Sequence, residues 1–187
     1  MPATIDVLMA DPLKFLRTFP IKLSTAKASR VEERVYYGKK KNDLRFDTVM
    51  PNVDDPAKVE ICRAHIVQAQ HGAPNFYSLT DACDLMITSQ LSGCCMILDK
   101  SASPPKIAHV WPHSSACQCP NKDLPRETGA SVQEQLVANF NGCKLYGIKD
   151  YKQTYSYVIG VRRGGWRFFA QERPNDGAIT RAVEILL

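Results

Sequence analysis

The sequence predicts an α+β fold, with a β-sandwich-like core of mixed sheets and flanking helices, in one domain that spans residues 1–187. Runs rich in β-branched and aromatic residues predict the sheets, above all the run from Thr154 to Glu172, where Gly164-Gly165 marks a hairpin turn. Helical apolar spacing next to capping residues predicts the helices. The apolar share of 44% and the charged share of 23% are typical of a chain that buries a core.

Two stretches carry both the start signal and the apolar spacing of a helix. Asp55 precedes Pro56, and apolar residues then recur at three- and four-residue steps, which predicts a helix from Pro56 to Gln70. Residues 131–134 match a capping box, which predicts a second helix that ends at Gly142. Shorter helices are predicted over residues 13–19 and 178–187.

The other predicted strands lie mostly in the middle of the chain. Two extended segments, 84–91 and 94–99, flank a turn at Ser92-Gly93, and a further strand over 106–112 ends at a proline. Another strand is predicted over 144–150, with loops over 101–105 and 113–130. Residues 1–50 form an N-terminal extension that the patterns do not assign, and its segment 30–38 fits either a strand or a helix.

Charge and hydropathy limit the classes of partner. The net charge is only +5, and the basic run at residues 39–41 fits a solvated turn, so we expect no nucleic-acid partner. No window holds the roughly 18 apolar residues of a membrane span. Seven cysteines, an odd number, and the lack of a secretory signal pattern favour a reducing compartment. We expect a monomer in the cytoplasm, or one delivered by a signal-less route into the cytosol of a target cell.

Cys94 and Cys95 directly follow the turn-forming pair Ser92-Gly93, which raises the question of whether one of them is a nucleophile. A thiol with a pKa of about 8.5 is mostly protonated at neutral pH, so a nucleophilic cysteine needs a base nearby. His109 lies in an extended run on the far side of a loop. If the two strands return antiparallel, the imidazole comes beside the start of the Cys94 strand. We therefore predict Cys94 as the nucleophile and His109 as its base.

Three further roles follow from this pair. The hydroxyl of Thr88, six residues before the cysteine, is the predicted partner that fixes the imidazole tautomer. Backbone N–H groups at Ser92-Gly93 are the predicted oxyanion donors. Trp111 is a candidate for the rim of the substrate site.

The string TSQLSGC from Thr88 to Cys94, followed by AHVWP from Ala108 to Pro112, resembles the active-site signature of the glutamine deamidase superfamily. That superfamily includes chemoreceptor glutamine deamidases, the catalytic domain of cytotoxic necrotizing factor and Burkholderia lethal factor. Its members carry a nucleophilic cysteine on a glycine-containing turn, a histidine on the next strand and, in several cases, a threonine six residues before the cysteine. Cys94, His109 and Thr88 match this arrangement.

The resemblance implies a hydrolase that converts a glutamine side chain of a target protein into glutamate, through a thioester on Cys94 and without a metal or organic cofactor. An amine that intercepts the thioester would make the same site a transglutaminase. The implied partner is a protein substrate with a reactive glutamine. The resemblance also implies the setting of a bacterial toxin or effector that acts in virulence.

Two other interpretations stay open. One is a zinc-binding module, because tetrahedral Cys/His sites are common in proteins. Its candidate ligands are His113, Cys117 and Cys119 together with Cys94, Cys95 or Cys143. The lack of Cys-x₂-Cys pairs disfavours it. The other is a non-catalytic protein-interaction module that keeps the fold. A free cysteine is usually a small core residue, and this is the role expected of Cys62, Cys83, Cys95 and Cys143.

Overall fold

A computed structural model of the chain describes residues 4–23, 29–39, 43–47, 59–71, 74–111, 133–135, 138, 140, 142–152, 154–174 and 178–186. In this part of the chain the fold is a mixed α+β arrangement of two sheets and helices, which confirms the predicted fold class. The helices that the described residues cover without a gap are α1 (Ile5–Ala10), α2 (Pro12–Thr18) and α3 (Ile148–Tyr151). The strands are β1 (Ile21–Leu23), β2 (Arg30–Lys39), β3 (Asp43–Asp47), β4 (Val59–Val67), β5 (Ala69–His71), β6 (Tyr77–Ser78), β7 (Leu85–Thr88), β8 (Cys95–Asp99), β9 (Lys106–Trp111), β10 (Cys143–Tyr146), β11 (Tyr155–Arg162), β12 (Trp166–Arg173) and β13 (Arg181–Ile185).

The larger sheet joins eight described strands in the order β1-β3-β2-β4-β7-β11-β12-β13. The helices α1 and α2 cover one of its faces, because Leu8 and Phe15 are buried in the same core cluster as Ile66 and Ile159. Both helices begin at side chains that cap free backbone N–H groups, Thr4 for α1 and Asp11 for α2. The helix predicted over residues 13–19 is confirmed by α2.

The smaller sheet has the order β10-β8-β9-β5, with β6 also paired to β9. Its inner face packs on the other face of the larger sheet, where Met96 and Ile107 share a cluster with Met86 and Phe168. Its outer face carries a separate cluster of Cys95, Ile97, Ala108 and Val110. Side chains alternate between the two faces along β8 and β9, and this alternation decides which of them meet between the sheets.

The helix predicted from Pro56 to Gln70 is wrong. Its described part is mainly the strand β4, which pairs with β2 on one side and with β7 on the other. Cys62 and Ile66 fit helical spacing, but they also fit an alternation with Ala64, and all three are buried in one cluster. Ile61, directly before Cys62 and on the opposite face of the strand, is 69% exposed. Pairing with two neighbouring strands satisfies the backbone groups that a helix would have bonded internally, so tertiary context overrides the local signal.

Two C-terminal assignments also need correction. Residues 181–185 of the predicted final helix form the strand β13, which pairs with β12 and buries Ala182 and Ile185 in different core clusters. The strand predicted over 144–150 stops at Tyr146, and α3 follows after Gly147. A β-carbon at Gly147 would overlap the Gln133 side chain, so a glycine at this turn lets the two segments pack closely.

The remaining predicted elements of the described chain are confirmed. The extended segments before and after Ser92-Gly93 are β7 and β8, and the run that ends before Pro112 is β9. The hairpin is β11 and β12, with Gly164 and Gly165 at positive φ in its turn. The ambiguous segment 30–38 is the strand β2. Residues 133–135 and 138 of the second predicted helix are helical. The predicted loop over 113–130 lies outside the described residues.

In the described part of the chain no helix is both long and apolar enough to cross a membrane.

Candidate active site

The register of β8 and β9 brings Cys94 and His109 to one face of the smaller sheet. The strands are antiparallel, with Met96 opposite His109 and Cys95 opposite Val110, so the predicted antiparallel return is confirmed. Opposite residues point to the same side, and His109 therefore points between the sheets with Met96. Cys94, two residues from Met96, lies in the same inner cluster. Cys94 and His109 are thus diagonal neighbours, a relation in which Cβ atoms lie about 7 Å apart.

Cys95 does not share this site. It is fully buried in the cluster on the outer face of the smaller sheet. Burial, with a smaller contribution from Cys94, raises the pKa of the Cys95 thiol to about 12. A thiol with that pKa stays protonated at neutral pH, and only Cys94 of the adjacent pair faces the imidazole.

His109 is fully buried and has an incomplete set of hydrogen bonds. Its Nδ1 lies 3.3 Å from Ser89 Oγ, and its Nε2 has no hydrogen-bond partner within the part of the chain that the structure describes. Burial lowers the pKa of His109 to about 4, against a smaller opposing effect of a hydrogen bond between the ring and the backbone of Val67. The ring is therefore neutral at pH 7, and one nitrogen is left in apolar surroundings without a partner, which is unusual in a native core.

The Thr88 hydroxyl has a different hydrogen-bond partner from the predicted one. Its hydroxyl accepts a hydrogen bond from the backbone N–H of Val158 at 3.1 Å, which closes the end of the contact between β7 and β11. The next residue, Ser89, holds the hydroxyl that reaches the imidazole. The spacing in the sequence indicated a hydroxyl near His109 but not which of two adjacent hydroxyls turns towards it.

The predicted oxyanion donor at Gly93 is already engaged. Gly93 has a φ of 125°, which glycine adopts readily, and this allows the sharp turn into β8. Its N–H donates to the hydroxyl of Tyr151 at 3.0 Å. Ser92 is exposed at the tip of the turn. In the conformation described here, the Gly93 N–H therefore has no capacity to bind an oxyanion.

Trp111 ends β9 at the position opposite Cys94 when the register of the two strands is extended by one residue. It is partly buried and packs against the inner cluster that contains Cys94. Its place at the border between the inner layer and the surface is the one expected of a rim residue.

The candidate site is closed to large molecules in this conformation. Cys94 is 2% exposed and His109 is fully buried. The Cys94 sulfur therefore lies below the surface in this conformation. The lowered pKa of His109 belongs to the same closed conformation, because water that enters the site would reduce the desolvation that causes it.

A buried polar network lies beside the turn and had no signature in the sequence. The Tyr146 hydroxyl donates to Glu172 at 2.9 Å and lies 3.1 Å from the Ser156 hydroxyl. Burial, as the largest effect, raises the pKa of Glu172. Ser156 also pairs through its backbone with Leu91, the residue that begins the turn. Strand pairing alone brings these residues together, so only the topology reveals them.

Metal binding finds little support in the described residues. They contain no group of three or more His, Cys, Asp or Glu side chains arranged to hold a metal ion. Cys94 and Cys95 point to opposite faces of one strand. Cys143 pairs with Asp99, four residues from Cys95 and thus about 13 Å along the strand. The other proposed ligands, His113, Cys117 and Cys119, lie outside the described residues.

Neither a protein-family model nor a curated protein matches the chain. The resemblance to glutamine deamidases therefore stays a prediction, based on the residues of its motif.

Proposed function

We propose that the chain is a cysteine-dependent protein glutamine deamidase, with Cys94 as the nucleophile and His109 as the base and acid. The observation that supports it is the placement of these two side chains as diagonal neighbours on the inner face of adjacent antiparallel strands. The unpartnered Nε2 of His109, counted over the described residues, is a second sign that this imidazole has a role other than packing.

In the proposed reaction His109 takes the thiol proton, and the Cys94 thiolate adds to the carbon of a glutamine carboxamide. The C–N bond then breaks, and ammonia leaves with the proton from His109. Water, deprotonated by His109, attacks the thioester, and Cys94 leaves as the thiol after it regains a proton. One glutamine and one water give one glutamate and one ammonia. A primary amine in place of water would give the transglutaminase product.

Ser89 takes the orienting role in this proposal. If Nε2 is the base, Nδ1 carries the proton and donates to Ser89 Oγ. The separation of 3.3 Å marks a weak bond, so Ser89 adjusts the ring rather than fixing it rigidly. Gly93 would act as an oxyanion donor only after its bond to Tyr151 is broken.

The proposal includes a setting. A change from glutamine to glutamate adds a negative charge to the target, which alters a protein interface by electrostatics. We propose a bacterial toxin or effector, monomeric, that acts in the cytoplasm of its own or of a target cell, with a protein that bears a reactive glutamine as its substrate. No nucleic acid or organic cofactor takes part.

The test compares three forms of the protein on a cell extract. Site-resolved mass spectrometry would measure the conversion of glutamine to glutamate after treatment with wild type, Cys94→Ser and the matched control Cys95→Ser. We expect wild type and Cys95→Ser to convert the same small set of glutamines and Cys94→Ser to convert none. Equal conversion by wild type and Cys94→Ser would exclude the assignment.

A second candidate is a non-catalytic protein-interaction module, and the burial of both Cys94 and His109 is the observation that favours it. In that case the pair belongs to the core. Cys94→Ser and His109→Gln would then lower the free energy of unfolding by about 1–3 kcal/mol, and no form of the protein would convert a glutamine.

A further inference from the structure

The Tyr151 hydroxyl holds the turn that carries the candidate nucleophile. It accepts the N–H of Gly93 at 3.0 Å and donates to the carbonyl oxygen of Cys94 at 2.7 Å. The Tyr151 side chain is 1% exposed, so neither bond competes freely with water. One hydroxyl thus binds the backbone of the turn on both sides of the Gly93–Cys94 peptide.

Gln133 makes a second connection to the same turn. Its Nε2 donates to the carbonyl of Gly93 at 3.0 Å, and its Oε1 accepts the backbone N–H of Ile148 at 3.0 Å. Ile148 begins α3 and Tyr151 ends it. Both connections therefore fix the turn to one short helix, which is distant from it in sequence.

These contacts have two consequences for the proposed reaction. They occupy the Gly93 N–H, which the sequence predicts as an oxyanion donor, and they hold a conformation in which Cys94 is 2% exposed. Release of the hydroxyl would free that N–H and remove two of the bonds that keep the turn closed. The Tyr151 ring also packs beside the Tyr146 ring, with centroids 5.9 Å apart.

We propose that Tyr151 is a positioning residue that keeps the nucleophile turn closed, and that the protein described here is the resting form of the site. Movement of the Tyr151 hydroxyl away from the turn exposes Cys94 and makes the Gly93 N–H available to the substrate. The availability of the Gly93 N–H to a substrate is the catalytic half of this inference, and it rests on the proposed deamidase function. The exposure of Cys94 is the other half, and it does not depend on that function.

The experiment compares Tyr151→Phe with the matched control Tyr146→Phe. Each variant keeps a buried ring and loses a hydroxyl with two hydrogen-bond contacts, but only that of Tyr151 contacts the turn. Folded protein is treated with iodoacetamide, and mass spectrometry follows alkylation of Cys94 and Cys95 separately. In Tyr151→Phe we expect Cys94 to react about tenfold faster or more, because two buried hydrogen bonds no longer oppose opening. Cys95 should stay unreactive, and Tyr146→Phe should leave the Cys94 rate near that of wild type.

The other outcomes separate failure of the closed-turn inference from failure of the proposed function. An unchanged Cys94 rate in Tyr151→Phe overturns the inference, and so does a parallel increase for Cys95, which indicates general unfolding. If Cys94 reacts faster and glutamine conversion rises with it, both halves are supported. If Cys94 reacts faster while no form of the protein converts glutamine, the closed turn is supported and the proposed function fails. If conversion falls while alkylation rises, the resting-form interpretation is wrong.

Discussion

The two histidines between the sheets differ in how completely their hydrogen bonds are satisfied. His65 and His109 are both fully buried, and burial is the largest cause of a lowered pKa for each. His65 Nε2 lies 3.0 Å from the carbonyl of Thr80 and its Nδ1 lies 2.8 Å from the hydroxyl of Tyr77. Since a carbonyl only accepts, Nε2 carries the proton and Nδ1 accepts from Tyr77.

His109 has no such arrangement. Its Nδ1 contact with Ser89 is long, and its Nε2 has no hydrogen-bond partner among the residues that the structure describes. A core that needed only packing would bury an apolar residue at this position at lower cost. Within the described residues, His109 is thus the less satisfied of the two buried histidines, and it lies on the same face of the smaller sheet as Cys94.

The largest expected effect separates the two histidines by activity. His109→Gln should lower the rate of glutamine conversion by about 10²–10⁴-fold, because it removes the proposed general base. His65→Gln should lower it by far less when the rate is expressed per folded protein. Conversion rates of the two variants at neutral pH, with circular dichroism to measure the folded fraction, check this. Similar losses in both variants would remove the distinction.

The pH dependence of stability is the next largest effect. The pKa of His109 is about 4 in the folded protein, against 6.5 for an unperturbed histidine. Between these values the unfolded chain binds a proton that the folded chain does not, so stability falls as the pH falls through this window, by about 3 kcal/mol. Urea unfolding of wild type and His109→Gln at several pH values measures it. The variant should lose less stability on acidification, and equal slopes would contradict the burial of a neutral ring.

The sequence predicted the pairing of strands that follow each other along the chain, but not all of the pairing between more distant strands. Local patterns were sufficient for the hairpin of β11 and β12 and for the pair β8 and β9, because strand neighbours in sequence are neighbours in the sheet. They failed for β4 and β13, both of which show helical spacing in the sequence. Pairing of β4 with the distant strand β2, and of β13 with β12 on the far side of a loop, decided the structure instead.

The site shows the same limit. Cys94 and His109 were predicted together because one loop connects their strands. Tyr151 and Gln133 were missed, since their contacts to the turn depend on packing between segments 40 or more positions apart. The sequence also could not predict which of the Thr88 and Ser89 hydroxyls lies near His109. That choice depends on the contact between β7 and β11, where the Thr88 hydroxyl accepts the backbone N–H of Val158.

A smaller effect concerns the partner of the structural histidine. Tyr77→Phe should lower the free energy of unfolding by about 1–3 kcal/mol, because it leaves Nδ1 of the buried His65 without its donor. Thermal or urea unfolding measures the loss. Glutamine conversion should not change in the folded variant, and a change in conversion would indicate that this end of the molecule belongs to the site.

The smallest expected effect, that of Ser89→Ala, is measured against a substitution of the adjacent hydroxyl of Thr88. Ser89→Ala should change stability by no more than about 1 kcal/mol, because its bond to Nδ1 is long, yet it should slow glutamine conversion measurably. Thr88→Val should cost more stability, about 1–3 kcal/mol, since it leaves the buried Val158 N–H without an acceptor. Paired unfolding and conversion assays check both. The reverse pattern would restore the orienting role to Thr88.

The central claim, that His109 serves the thiol of Cys94, is tested most directly by the pH profile of Cys94 alkylation in wild type and in His109→Gln. If the imidazole assists the thiol, the alkylation rate of wild type should rise at a lower pH than that of the variant, which should need the more alkaline conditions of an unassisted thiol, with a pKa of about 8.5 or above. Two profiles that superimpose would show that the pair is only part of the core.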